Sequence, residues 1–173
     1  MADISDNLAE ELWLTAHALA DAARGAILPH FRATGLDAEN KEAGGFDPVT
    51  VADHAAETAM REVLAQRRPQ DGILGEEQGI VEGTSGLTWV LDPIDGTQNF
   101  VHSLPISCVS IGLAVGGIPV LGVIYHPGMD ELFLGLTAAA ASPPLASDAH
   151  GSYLNGTRLR TDQKASTCVD MEL

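Results

Sequence analysis

Residues 89–100 read WVLDPIDGTQNF: an apolar run, then Asp92 and Asp95, then Gly96-Thr97 opening what reads as a helix. The run Trp89–Leu91 has the character of a short strand. Carboxylates only three residues apart at its end place like charges close together, which costs free energy unless something positive lies between them. Fold and chemistry are thus posed by one stretch, a strand that delivers acids to its own end.

Working outward, Leu8, Leu12, Ala16, Leu19, Ala23 and Ile27 recur at three- and four-residue steps, which predicts a long amphipathic helix from about residue 7 to 31. Pro29 should disturb its last turn, and Gly35 stands where a helix commonly stops. His17 and His30 on this helix read as surface or packing residues. Residues 37–64 read as a short extended piece, a Gly-Gly turn, and a second helix from about Val51 to Gln66 with Thr50 as its N-cap. GILGEEQG, residues 72–79, reads as a short apolar strand ending in Glu76 and Glu77. Downstream, ISCVSIGLAV, VLGVIYH and ELFLGL are β-rich and separated by Gly116-Gly117 and Pro127-Gly128, which predicts an antiparallel meander. Residues 137–149 read as a surface loop, after which structured sequence resumes at Tyr153. Helices first and adjacent strands afterwards imply an α+β domain, a sheet covered by two helices.

At 173 residues the chain suits one domain, and 45% hydrophobic with 19% charged residues is an ordinary globular balance. The net charge of −15, with no basic run longer than Arg67-Arg68, argues against nucleic acid or an anionic membrane as partner. An acidic start without a signal-peptide pattern, and no stretch of membrane-spanning length, lead to the expectation of a soluble cytoplasmic protein. Cys108 and Cys168 form no metal or redox spacing and read as plain thiols.

Three separated segments carry acids at their ends: Asp53 opens the second helix, Glu76 and Glu77 end one strand, Asp92 and Asp95 another. Adjacent strand ends can gather such groups at one sheet edge, where sites tend to form. Carboxylate and carbonyl oxygens are hard ligands suited to Mg²⁺. Gly96-Thr97 at a helix start would offer backbone N–H groups to a phosphate. A pair of metals beside a phosphate can activate water and stabilise the leaving oxygen, so the implied reaction is phosphate-ester hydrolysis. Each piece alone has a plainer reading: Asp53 as the acidic half of a capping box with Thr50, Glu76-Glu77 as a solvated turn, Asp92-Pro93 and Asp95-Gly96 as turn chemistry. Their combination favours a site. There is no GxSxG, no GxxxxGK and no HExxH.

The stretch WVLDPIDGTQNFVHSLPISCVSIGLAV strongly resembles the signature of the inositol monophosphatase family of Mg²⁺-dependent, lithium-sensitive phosphatases. DPVTVADHAAE and GILGEEQG resemble its two preceding motifs, at the expected spacing. The resemblance implies a layered αβαβα sandwich, of which this chain covers the N-terminal helix pair plus antiparallel sheet. It implies Glu76, Asp92 and the Ile94 carbonyl as ligands of a first metal, and Asp92 and Asp95 as ligands of a second. Asp53 and Thr97 would orient and deprotonate the attacking water, with Glu76 counted among the catalytic groups. The Gly96 and Thr97 amides would hold phosphate, Glu77 and Lys41 would support the ligands from behind, and Asn99 and His102 would be structural. His54, His126 and His150 match no role. The implied partners are a small phosphorylated metabolite and, when full length, a second copy of the chain in a homodimer.

The family's C-terminal segment, with a Trp-Asp motif that completes the second metal site, has no counterpart in TDQKASTCVDMEL. Residues 1–160 are therefore expected to be the metal-binding part and 161–173 a polar tail. Weak Mg²⁺ binding, little turnover and exposed packing surface are the expectations for the chain alone. Gln98 stands where the family usually has Thr, Ser103 where Gly is common, and the 137–149 loop is longer than the family's usual connection. Inositol monophosphate is the leading substrate. Residues 31–57 and 68–79 resemble the histidinol-phosphatase branch instead, and a non-catalytic metal-binding or interaction module is the alternative of another class.

Overall fold

The computed structural model describes residues 6–33, 38–40, 48–137 and 151–159, with the side chains of residue 6, residues 38–40 and residues 48–49 outside that description. The first helix, α1, spans Asp6–Ile27 and buries Ala9, Leu12, Ala16, Leu19, Ala20, Ala23 and Ile27 along one stripe. It ends earlier than the periodicity suggests because Pro29 has no N–H to continue the ladder. The amides of Leu28, His30 and Phe31 close the end in tight turns onto Arg24 and Ile27. Two three-residue strands, β1 (Ala38–Asn40) and β2 (Pro48–Thr50), pair antiparallel, and α2 follows directly at Val51–Arg67 with Thr50 as its N-cap. Its inward face carries Ala52, Ala56, Met60 and Leu64, and also two buried acids, Asp53 and Glu57.

The remaining strands form one sheet: β3 (Gly72–Gly75), β4 (Gly79–Val81), β5 (Leu87–Asp95), β6 (Cys108–Val115), β7 (Ile118–His126), β8 (Glu131–Leu136), β9 (Gly151–Leu154) and β10 (Thr157–Arg158). Their order is β10-β9-β8-β7-β6-β5-β3-β4. The β6-β7-β8 meander is as the turn signals predict. The edge strand β4 and the full length of β5 go beyond the expected Trp89–Leu91. The sheet is mixed rather than antiparallel, because β3 and β5 pair parallel with Gly75 opposite Leu91.

Strand alternation sends Trp89 and Leu91, then Val109, Ile111 and Leu113, then Leu121, Val123 and Tyr125, toward the helices, where they share one core with α1 and α2. A register shift between Leu113 and Ala114 sets Val120 as an extra residue on β7, so Val120 and Leu121 are both buried. The opposite sheet face carries exposed Leu74, Val90 and Ile124. No described helix is long and apolar enough to cross a membrane. Lys41, Gly35, His150, Cys168, the loop beyond Thr137 and the tail from 161 lie outside the described residues.

Candidate active site

Parallel pairing of β3 with β5 decides where the acids go, because both strands finish at the same sheet edge. The Glu76 amide extends the ladder by one bond, donating to the Leu91 carbonyl at 3.0 Å, and so sets Glu76 beside Asp92. On its other side β5 pairs with β6, Asp92 opposite Ser110 and Asp95 opposite Cys108, leaving one extra residue on β5 between them. Pro93 is tolerated in this bulge because it need not donate to a ladder. Asp92 is half-buried and Asp95 exposed.

The first turn of α2 supplies Asp53, 1% exposed. Its Oδ2 accepts from the Thr50 amide at 2.8 Å and the Thr50 hydroxyl at 2.6 Å, while the Ala52 amide donates to the Thr50 hydroxyl at 3.1 Å. This is the capping box of the plainer reading. Asp53 Oδ1, however, accepts from the Thr97 hydroxyl at 3.1 Å, across 44 positions of sequence. One oxygen holds the helix start and the other reaches the site. Thr97 Oγ1 also lies 2.9 Å from the Ile94 carbonyl, and a hydroxyl has one proton to share between these acceptors.

Helix α3, Thr97–Val101, starts from Gly96 in the left-handed region at φ 83°. A methyl there would be strained by the backbone and would stand 3.0 Å from Asn99 Nδ2. The Asn99 and Phe100 amides donate to the Gly96 carbonyl at 2.8 and 3.1 Å, and buried Phe100 stacks near Phe31. The N–H groups of Thr97 and Gln98, in the first turn, have no acceptor within the helix. His102 Nδ1 is 2.7 Å from the Gln98 carbonyl and His126 Nδ1 is 3.2 Å from the Ser107 carbonyl. His17 packs against Trp13.

Asp92 Oδ1 is buried and makes no hydrogen bond to any described residue. The Asp92 carboxyl is pushed up to about 7, first by burial, then by its hydrogen bond to Glu76 and the charges of Glu76, Asp95 and Asp53. The charges that act most on it are all carboxylates. In kind, this oxygen-only donor set with an unpaired buried atom fits a hard divalent cation. In placement it is open: among the described residues no three His, Cys, Asp or Glu side chains are gathered tightly enough to hold an ion as they stand. Cys108 Sγ sits 3.8 Å from Asp95 Oδ2, and burial pushes its thiol up.

The residues missed by the sequence reading are Glu57 and Arg61. Glu57 Oε2 accepts from the Glu77 amide at 2.7 Å and Oε1 from the Gln78 amide at 3.1 Å, while Arg61 Nε donates to Oε1 at 2.7 Å. Glu77 meets this ion pair through its backbone amide. The available signal was the spacing Asp53, Glu57, Arg61, three charges on one helix face at four-residue steps.

A model described as the inositol monophosphatase family matches residues 8–172. The chain is 39% identical over 125 residues to an inositol monophosphatase of Mesembryanthemum crystallinum, covering 70% of this chain and 42% of that protein. Its backbone is similar to the extragenic suppressor protein suhB of Bartonella henselae, with TM-score 0.72 and 31% identity over 88% of this chain and 54% of that one. It is also similar to an inositol monophosphatase of Zymomonas mobilis, with TM-score 0.66 and 37% identity over 88% of this chain and 53% of that one. The chain spans about half the length of these relatives. None of these names supports the histidinol-phosphate reading.

Proposed function

This chain belongs to the inositol monophosphatase family, and from that premise we propose that it carries the metal-binding and water-activating part of a Mg²⁺-dependent, lithium-sensitive phosphomonoesterase acting on inositol monophosphate. The observation that carries the reading is the Thr97–Asp53 hydrogen bond set beside the unpaired buried oxygen of Asp92.

Glu76, Asp92, Asp95 and the Ile94 carbonyl would hold the cation. When bound, Mg²⁺ would acidify a water and polarise the phosphate. Were the Ile94 carbonyl taken up as a ligand, the single proton of the Thr97 hydroxyl would be left to Asp53 Oδ1. Its lone pairs are then free to accept from a water, so a proton can pass from that water through Thr97 to Asp53. Because Thr50 holds Asp53 Oδ2, only Oδ1 is offered to this relay. The first-turn amides that follow Gly96 suit a phosphate oxygen.

The test is Mg²⁺ binding by calorimetry and Mg²⁺-dependent phosphate release from inositol 1-phosphate, for the 173-residue chain and for Asp92→Asn, which removes the ligand shared by both metals. Binding abolished by the substitution is expected. Equal affinity in both proteins would overturn the site, and release from unrelated monoesters at the same rate would overturn the substrate.

A further inference from the structure

Asp53, Glu57 and Arg61 recur at four-residue steps along α2, about 6 Å apart along its axis by helix geometry. Each grips a different part of the site's frame. Asp53 takes the Thr97 hydroxyl. One turn later Glu57, fully buried, takes the successive amides of Glu77 and Gln78. One turn later again, Arg61 neutralises Glu57 through Nε and donates through Nη2 to the Gly79 carbonyl at 2.5 Å. The three-residue turn between β3 and β4, which bears Glu76, is therefore held from beneath by one ion pair.

We propose that Glu57, held by Arg61, is a positioning residue that fixes the Glu76 carboxylate at the cation site, making α2 a ruler that sets Glu76 against the Asp53–Thr97 pair. The inference rests on the reading above that Glu76 is a ligand. A buried carboxylate is costly unless paired and hydrogen-bonded, and here both oxygens are used on the ligand turn and its cation. The turn is built to receive it: a methyl on Gly75 would overlap the Glu57 carboxylate. On the other side of the turn, the Glu76 amide is fixed to the Leu91 carbonyl at 3.0 Å. Glu76 thus stands between two anchors, one from the sheet and one from the helix. Glu57→Gln keeps the side chain's shape but loses one acceptor oxygen and the charge that Arg61 pairs with.

The experiment is Mg²⁺ calorimetry and amide hydrogen exchange on the wild-type chain, Glu76→Gln, Glu57→Gln, Arg61→Lys and the double variant of Glu57 and Glu76. Glu57→Gln should weaken Mg²⁺ binding by about tenfold, as supporting groups behind metal ligands do. Exchange should quicken at the Glu77 and Gln78 amides and stay unchanged in the first turn of α2. The double variant should bind no more weakly than Glu76→Gln alone, because Glu57 acts only through Glu76. A wild-type chain that binds no Mg²⁺, or a Glu76→Gln that binds as well as wild type, would sink the reading of Glu76 as a ligand. With both of those controls as expected, a folded Glu57→Gln binding like wild type would overturn the positioning role. Should Glu57→Gln fail to fold, Arg61→Lys decides: several-fold weaker binding supports the role, and wild-type affinity overturns it.

Discussion

The two ends of the parallel pair β3–β5 treat the same residue type in opposite ways. Where the strands begin, Asp71 is buried and accepts from Arg68 Nε at 2.8 Å, Arg68 Nη2 at 3.2 Å and Trp89 Nε1 at 3.0 Å. Arg68 extends the network to Glu11 on α1 at 3.1 Å, and its guanidinium is pushed up chiefly by the Asp71 hydrogen bond. Where the strands end, Asp92 keeps an unpaired buried oxygen, and Glu76, Asp95 and Asp53 raise rather than lower its affinity for a proton. A carboxylate whose cation is built into the fold holds the fold together. One whose strongest charged neighbours are other carboxylates costs stability and keeps its capacity for an added cation.

The hardest way to break this comparison is at the leading end. Asp71→Ala should cost about 3 kcal/mol in urea unfolding, because it takes two acceptor bonds from the Arg68 guanidinium, leaving it Glu11, and strands the buried Trp89 indole N–H. Mg²⁺ affinity of the folded fraction should be unchanged, and a large loss of affinity there would show that the two ends are coupled.

Asp92→Asn should act with the opposite sign on stability. Burial and the neighbouring carboxylates push the folded carboxyl up to about 7, against about 3.9 in the unfolded chain. Between those values the folded chain holds a proton that the unfolded chain has released, so stability falls as pH rises from about 4 through about 7. Without added metal, the wild-type chain should melt a few degrees lower at pH 8 than at pH 5. Asp92→Asn should remove that slope and abolish Mg²⁺ binding. A slope that survives the substitution would assign the pH dependence to another group.

Thr97 sharpens the comparison on a smaller scale. Thr97→Val leaves Asp53 Oδ1 without its donor and should cost about 1 kcal/mol; on the proposed function it should also suppress Mg²⁺-dependent phosphate release. Thr97→Ser keeps the hydroxyl and should restore most of both. Equal release by the Ser and Val variants would remove Thr97 from the relay. The smallest effect is expected at Cys108, whose thiol is pushed up by burial and by the nearby Asp95 and Asp92 charges. Alkylation at pH 7.5 should be slower than for a free thiol, and Cys108→Ser should leave stability within about 0.5 kcal/mol.

What the sequence determined by itself is what short-range chemistry encodes. The stripe from Leu8 to Ile27 specifies α1 because helix neighbours recur at three and four residues. Thr50 and Asp53 specify the start of α2 because a capping box closes within three positions. Gly116-Gly117 and Pro127-Gly128 specify the meander because they meet turn geometry locally. The acids of the site were visible too, as residue types at the ends of segments. Their assembly was decided only by tertiary structure. Nothing local tells β3 to pair parallel with β5, yet that pairing sets Glu76 beside Asp92. The span of 44 residues from Asp53 Oδ1 to Thr97, and of 20 from Glu57 to the Glu77 amide, is closed by packing α2 against the sheet. Asp53 satisfies its cap with one oxygen through a residue three positions away; what its second oxygen touches depends on which strand end the core brings to it.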